Sequence, residues 1–184
     1  MLGIVKKESP YGESSSRKTI YSIEDNMFRF WYRFVPENTS VISRGAADLA
    51  YKRIAPELSA YMGGVFEEIC KQYLWKLLLA DKCAVSFTGL GRWWGTDPHT
   101  KAQEEIDIVG TDKDSVLLGE CKWANEKVDL GALETLAERS KRFRQPKKQL
   151  YLFAKTGFTK GCADKAAEMG SVVLVKYEDM LAEL

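Results

Sequence analysis

An α/β fold, a mixed sheet flanked by helices with a small hairpin and helical segment ahead of it, is what this 184-residue sequence predicts. Three observations point there. A long amphipathic helix is followed by three β-rich runs, at 83–87 leading toward Trp93 and Trp94, at 104–110 and at 115–123. The last two are joined by a short turn at 111–114, which suits an antiparallel hairpin. Beyond them helix and strand alternate, and such crossovers require parallel pairing.

In chain order, residues 2–7 and 18–23 alternate polar and apolar side chains around a Gly- and Ser-containing stretch, the pattern of a β-hairpin with a long tip. Asp25 is placed to cap a short helix bearing Met27, Phe28, Trp31, Tyr32 and Val35, ended by Pro36, and its aromatic face needs a partner. From 46 to 79 the periodicity is helical. Pro56 suits a first turn and Gly63 with Gly64 suits a break, so two shorter helices and then a long one are expected. The long one carries Val65, Phe66, Ile69, Cys70, Tyr73, Leu74, Leu77 and Leu78 on one stripe, with Glu67 at its edge and Glu68 nearly opposite. The remainder reads as helix 129–143, strand 149–154, helix 160–169 and strand 171–175. Domain bounds follow as a hairpin at 1–24, a helical connection at 25–62 and an α/β domain at 63–184.

Composition narrows the function classes. Twenty-seven Lys and Arg against 26 Asp and Glu leave a net charge of +1, which excludes a polycation and demands that any nucleic-acid affinity come from locally placed charge. No apolar run approaches the roughly 20 residues of a membrane span, and Lys6, Lys7 and Glu8 interrupt any leader-like pattern, so a cytoplasmic protein without membrane contact is expected. Cys70, Cys83, Cys121 and Cys162 lack paired spacing and read as reduced core thiols. His99 is the single histidine, which disfavours histidine-based zinc sites and leaves one base for any triad; no nucleophile-elbow motif accompanies it.

Acidic residues and one lysine carry the chemistry instead. In Ile106-Asp107-Ile108 the two isoleucines are expected on one strand face and Asp107 on the other; in Glu120-Cys121-Lys122 the period of two puts Glu120 and Lys122 on one face. A hairpin would bring Asp107, Glu120 and Lys122 to a common point, where paired carboxylates repel unless a cation separates them. Hard oxygen donors favour Mg²⁺ or Mn²⁺, and a neighbouring lysine can orient or deprotonate an attacking water, chemistry suited to phosphodiester hydrolysis. Glu67 is placed to add a further ligand. The basic run Arg139, Lys141, Arg142, Arg144, Lys147 and Lys148 is a candidate for tracking nucleic-acid phosphates, and equally for a solvated helix end. Trp93, Trp94 and Trp123 suit packing beside a sheet better than stacking on bases.

Through Phe66-Glu67, Ile106-Asp107-Ile108 and Glu120-Cys121-Lys122, residues 63–175 resemble the PD-(D/E)XK nuclease superfamily, the restriction-endonuclease-like fold. The resemblance implies that Asp107, Glu120, the Cys121 main-chain carbonyl and Glu67 hold Mg²⁺ and that Lys122 assists the water. A second likeness spans nearly the whole chain: Tyr21-Ser22-Ile23-Glu24-Asp25-Asn26 and Phe28-Arg29-Phe30-Trp31-Tyr32-Arg33-Phe34 resemble the C-terminal portion of archaeal and bacterial AAA+-type ATPases of unknown function. There a P-loop ATPase and a winged helix precede the nuclease-like domain, and the hairpin would be the remnant of the wing. This sequence has no G-x-x-x-x-G-K-[ST], so ATP hydrolysis is not expected of it, and the chain is expected to be a truncated or split member or to work with an ATPase on another polypeptide. The expectation is a Mg²⁺-dependent DNA nuclease, a homodimer if it cuts both strands. The alternative is a catalytically silent module that binds DNA or docks on and regulates a partner AAA+ ATPase.

Overall fold

The structure is a computed structural model that describes residues 4–13, 17–97 and 101–182. It has the expected class: a five-stranded mixed sheet flanked by helices, preceded by a two-stranded hairpin.

The hairpin pairs β1 (Val5–Glu8) with β2 (Ile20–Ile23) in antiparallel register, Val5 opposite Ile23. Residues 2–3 and part of its tip, 14–16, lie outside the described residues. It is seated on the rest of the molecule rather than free: Lys6 reaches Glu68 at 3.2 Å, and the Tyr11 backbone N–H donates to the Arg92 carbonyl at 2.8 Å. The Tyr11 hydroxyl donates to the Gly89 carbonyl and accepts from the Thr111 N–H at 3.1 Å. Gly91 permits this seat, since a Cβ there would stand 2.8 Å from the Tyr11 ring.

Helix α1 (Asn26–Phe34) begins where Asp25 accepts a hydrogen bond from the Phe28 N–H, as its position before an apolar run predicts. A 3-10 turn (Pro36–Asn38) and the short α2 (Thr39–Ile42) follow. Phe30 and Phe34 meet Tyr61 edge-on at 5.8 and 5.7 Å, yet Met27, Trp31 and Tyr32 stay 74%, 52% and 64% exposed. The expected burial of the whole aromatic face therefore does not occur within the chain.

Helix α3 (Ala47–Leu79) is one continuous element of 33 residues, where two shorter helices and a long one were expected. Pro56 frees the carbonyl of Lys52, but Lys52 is exposed and water can satisfy it, so the missing bond does not end the helix. Gly63 and Gly64 do not break it either; Gly64 lies where Arg29 of α1 comes across. The helix thus joins the hairpin-proximal half of the chain to the sheet without an interruption at residue 62.

The sheet order is β3 (Leu90–Thr96), β4 (Gln103–Thr111), β5 (Ser115–Lys122), β6 (Lys147–Ala154), β7 (Val172–Lys176). The first three pair antiparallel and the last three parallel, the parallel links made through α4 (Leu130–Ser140) and α5 (Lys160–Met169). A last helix, α6 (Tyr177–Ala182), was not anticipated, and residues 83–87 are irregular, the strand starting at Leu90 instead. One sheet face packs Ile108, Leu117, Tyr151 and Phe153 on Phe66, Cys70 and Leu74 of α3. The other packs Ile106, Val109, Val116, Leu118 and Leu150 on Leu136 of α4. Strand β5 is buried on both faces over most of its length, as an inner strand should be.

Trp123 packs between Phe66 and Tyr177, with centroids at 5.1 and 5.5 Å, and Trp93 meets Phe143. Packing is therefore their role here. The four cysteines are free thiols. Among the described residues no helix is long and apolar enough to cross a membrane.

Candidate active site

The site begins with a fault in the sheet. Between Gly91 and Trp93 the pairing of β3 with β4 shifts, Gly91 facing Val109 and Trp93 facing Ile106, so β4 carries one residue too many. This is a β-bulge, and it overturns the expectation that Ile106 and Ile108 share a face: Ile106 packs toward α4 and Ile108 toward α3. The β4–β5 ladder also ends at Ile108 opposite Gly119. Asp107 stands where the ladder stops, and its Oδ2 takes over as acceptor for the Cys121 N–H at 2.7 Å.

Glu120 follows the alternation of β5 after Val116 and Leu118, toward α4. It is only 7% exposed. Its Oε1 accepts from Lys122 Nζ at 2.6 Å. Its Oε2 is buried and has no hydrogen bond, with Arg139 Nη1 of α4 at 3.5 Å as its nearest ionic neighbour. Arg139 Nη1 is itself fixed by the Glu105 carbonyl at 2.7 Å. Lys122 remains 43% exposed on its side chain, so the site opens to solvent on that side.

Among the described residues Asp107 and Glu67, unlike Glu120, have no cation paired with them. Burial first, then the negative charges of Glu120 and Glu67, push Asp107 up to about 7, against the lowering pull of the Cys121 N–H and Lys122. Burial also raises Glu67, opposed by Arg92 and Lys71. Among the described residues Glu67 has no hydrogen-bond or ion-pair partner, whereas Glu68, on the other side of α3, is held below the usual range: Lys71 and Lys6 outweigh its burial. Lys122 goes the other way. Burial disfavours its charge, but the hydrogen bond and charge of Glu120, with Asp107, keep it above its ordinary value. It is therefore a cation in the metal-free protein.

A buried carboxylate oxygen with no hydrogen bond, beside a carboxyl that burial and then neighbouring carboxylates raise to about 7, is an arrangement whose charge a divalent cation would offset. Among the described residues no three His, Cys, Asp or Glu side chains converge closely enough to grip an ion by themselves. Two carboxylates and a main-chain carbonyl match Mg²⁺ or Mn²⁺ chemistry nonetheless, because Mg²⁺ keeps several of its waters.

The basic run is mostly spent within the chain. Arg139 turns into the site, Lys141 pairs with Glu138, and Arg142 pairs with Asp97 and Glu104 while lying over the Trp93 ring at 5.5 Å. Lys148 donates to the Ser140 carbonyl at 2.8 Å, which leaves Arg144 and Lys147 exposed on the surface. His99 lies outside the described residues. Sequence reasoning read Arg139 as a phosphate contact or as part of a solvated helix end; the signal for its inward position was its spacing of three from buried Leu136, on the edge of the apolar stripe of α4.

Residues 31–136 match the family model DUF234, archaeal and bacterial proteins of unknown function. A relative in Methanocaldococcus jannaschii, an uncharacterized protein, is 33% identical over 126 residues, 67% of this chain. The chain spans 27% of that protein's length. Among solved structures, a protein of unknown function is similar at 18% identity and a TM-score of 0.42, over 62% of this chain and 66% of that one. MspJI restriction endonuclease in complex with a 27-mer oligonucleotide is similar at 14% identity and a TM-score of 0.42, over 74% of this chain and 30% of that one. A repair endonuclease from Pyrococcus abyssi follows at 18% and 0.36, over 60% and 45%. Likenesses this low carry no functional argument, and the reading rests on the side chains.

Proposed function

The chain belongs to the DUF234 family, archaeal and bacterial proteins of unknown function, and we propose that it is a metal-dependent nuclease domain acting on DNA. The observation behind this is Asp107, raised by burial, beside Glu120, whose buried Oε2 lacks a hydrogen bond and whose Oε1 holds Lys122 at 2.6 Å. Asp107, Glu120 and the Cys121 carbonyl would hold Mg²⁺ or Mn²⁺, and Glu67 would act on it at one remove. When bound, such an ion offsets charge on a phosphodiester in the transition state and makes water a better nucleophile.

The chain's own residues do the rest. The Cys121 N–H fixes Asp107 Oδ2, so one ligand is oriented before substrate arrives. Lys122, held as a cation, donates a hydrogen bond to the attacking water and faces the phosphate charge; proton removal falls to another group. Water adds to phosphorus, one P–O ester bond breaks, and a phosphomonoester and an alcohol result. Arg144 and Lys147 supply exposed charge for the sugar-phosphate backbone.

The test is cleavage of labelled single-stranded, duplex and four-way-junction DNA with Mg²⁺, Mn²⁺ or EDTA, by the protein and its Lys122→Ala variant. Metal-dependent cutting that the variant loses supports the reading. Equal cutting by both refutes it.

The exposed Met27, Trp31 and Tyr32 favour a second reading, a nuclease-fold module docked on a partner such as an AAA+ ATPase. It predicts salt-sensitive DNA binding without cleavage under every metal condition.

A further inference from the structure

We propose that Arg139 is a positioning residue that sets how tightly the site takes its divalent cation. The inference rests on the reading of Asp107 and Glu120 as metal-holding residues.

Three contacts carry it. Arg139 Nη1 donates to the Glu105 carbonyl at 2.7 Å, which ties the last turn of α4 to β4 two residues before Asp107. The same nitrogen stands 3.5 Å from Glu120 Oε2 without a hydrogen bond, so it offsets that oxygen's charge and does not satisfy it. Lys122 holds the other oxygen at 2.6 Å. Glu120 is thus flanked by two cations that differ in attachment. Lys122 is the more exposed and can turn toward substrate; Arg139, 22% exposed and braced by a carbonyl, stays.

The consequence follows from charge. A divalent cation arriving at Glu120 Oε2 meets a guanidinium that the Glu105 carbonyl holds nearby, and like charges in a partly buried site repel strongly. Arg139 therefore competes with the metal for Glu120 and keeps the carboxylate seated while the site is unloaded. Removing its charge tightens metal binding. A residue that only braced the fold would do the reverse, because loosening β4 against α4 spreads the ligands apart.

The experiment is calorimetric titration of Mn²⁺ into the wild-type protein, Arg139→Gln, Arg139→Lys and Glu120→Gln, with thermal melts in EDTA as the folding control. Arg139→Gln is expected to bind Mn²⁺ about tenfold more tightly. The Mn²⁺ dependence of any cleavage should move to lower concentration by the same factor. Arg139→Lys, with its charge drawn back and its fork lost, should tighten binding by less, and it decides the matter if the glutamine variant does not fold. Glu120→Gln should abolish binding. Unchanged or weaker Mn²⁺ affinity in folded Arg139 variants overturns the role of Arg139 alone; weaker DNA binding with unchanged Mn²⁺ affinity does the same and makes Arg139 a phosphate contact. A wild-type protein that takes up no Mn²⁺ overturns the metal reading and this inference with it.

Discussion

Asp107→Asn should stabilise the metal-free protein above neutral pH. Asp107 is pushed up to about 7 by burial and by Glu120 and Glu67. In an unfolded chain it would titrate near 4. Between those values the native state holds a proton that the unfolded state has released, so stability falls as pH rises through that window and levels off above 7. A displacement of about three pH units corresponds to a ceiling of about 4 kcal/mol, of which rearrangement of Lys122 recovers part. Asparagine keeps an acceptor for the Cys121 N–H and carries no charge. Urea unfolding from pH 5 to 8 in EDTA should therefore show the variant already somewhat ahead at pH 5 and its lead widening by about 2 kcal/mol by pH 8. Glu67, raised in the same direction, leaves the variant a smaller residual slope. Saturating Mn²⁺ should stabilise the parent at pH 8 and leave the variant unmoved. A variant less stable than the parent at pH 8 in EDTA, or parallel profiles, would refute the uncompensated-carboxylate reasoning.

Gly91→Ala should cost about 1–3 kcal/mol, because its methyl would meet the Tyr11 ring at 2.8 Å; a lowered urea midpoint checks it. Phe66→Ala, fully buried between α3 and the sheet, should cost about 3–5 kcal/mol in the same assay. Replacing Arg144 and Lys147 together with Gln should reduce the salt slope of DNA binding by about 2, measured by fluorescence anisotropy across salt concentrations. Arg142→Gln should instead lower the melting temperature, since that residue joins Asp97, Glu104 and the Trp93 ring.

Much of the architecture could be read from periodicity, because burial imposes it directly. The apolar stripe through Phe66, Cys70 and Leu74, the doubly buried run of β5 and the alternation beyond it each name one element and its inward face. The Asp25 cap and the Thr159 cap of α5 are equally local, each a side chain accepting from an N–H three residues on. Asp107, Glu120 and Lys122 were legible as a group because the short turn at 111–114 makes their two strands antiparallel neighbours.

Local rules failed where a distant contact or solvent made the decision. Pro56 and Gly63-Gly64 mark a break by propensity, but packing on both sides and a solvated carbonyl carry α3 through them. The extra residue in β4 leaves no mark in an alternation of isoleucines; it exists because β3 pairs across it, and it sends Ile106 and Ile108 to opposite faces. Arg139 reads as one cation in a basic run, and only the crossing of α4 over the end of β4 turns it toward Glu120. The residue types of the site and their carrying elements thus follow from sequence, since spacing and burial are properties of single elements. Which carboxylate is left without a donor, and which cation stands beside it, depends on two elements meeting, and that is a property of the tertiary structure alone.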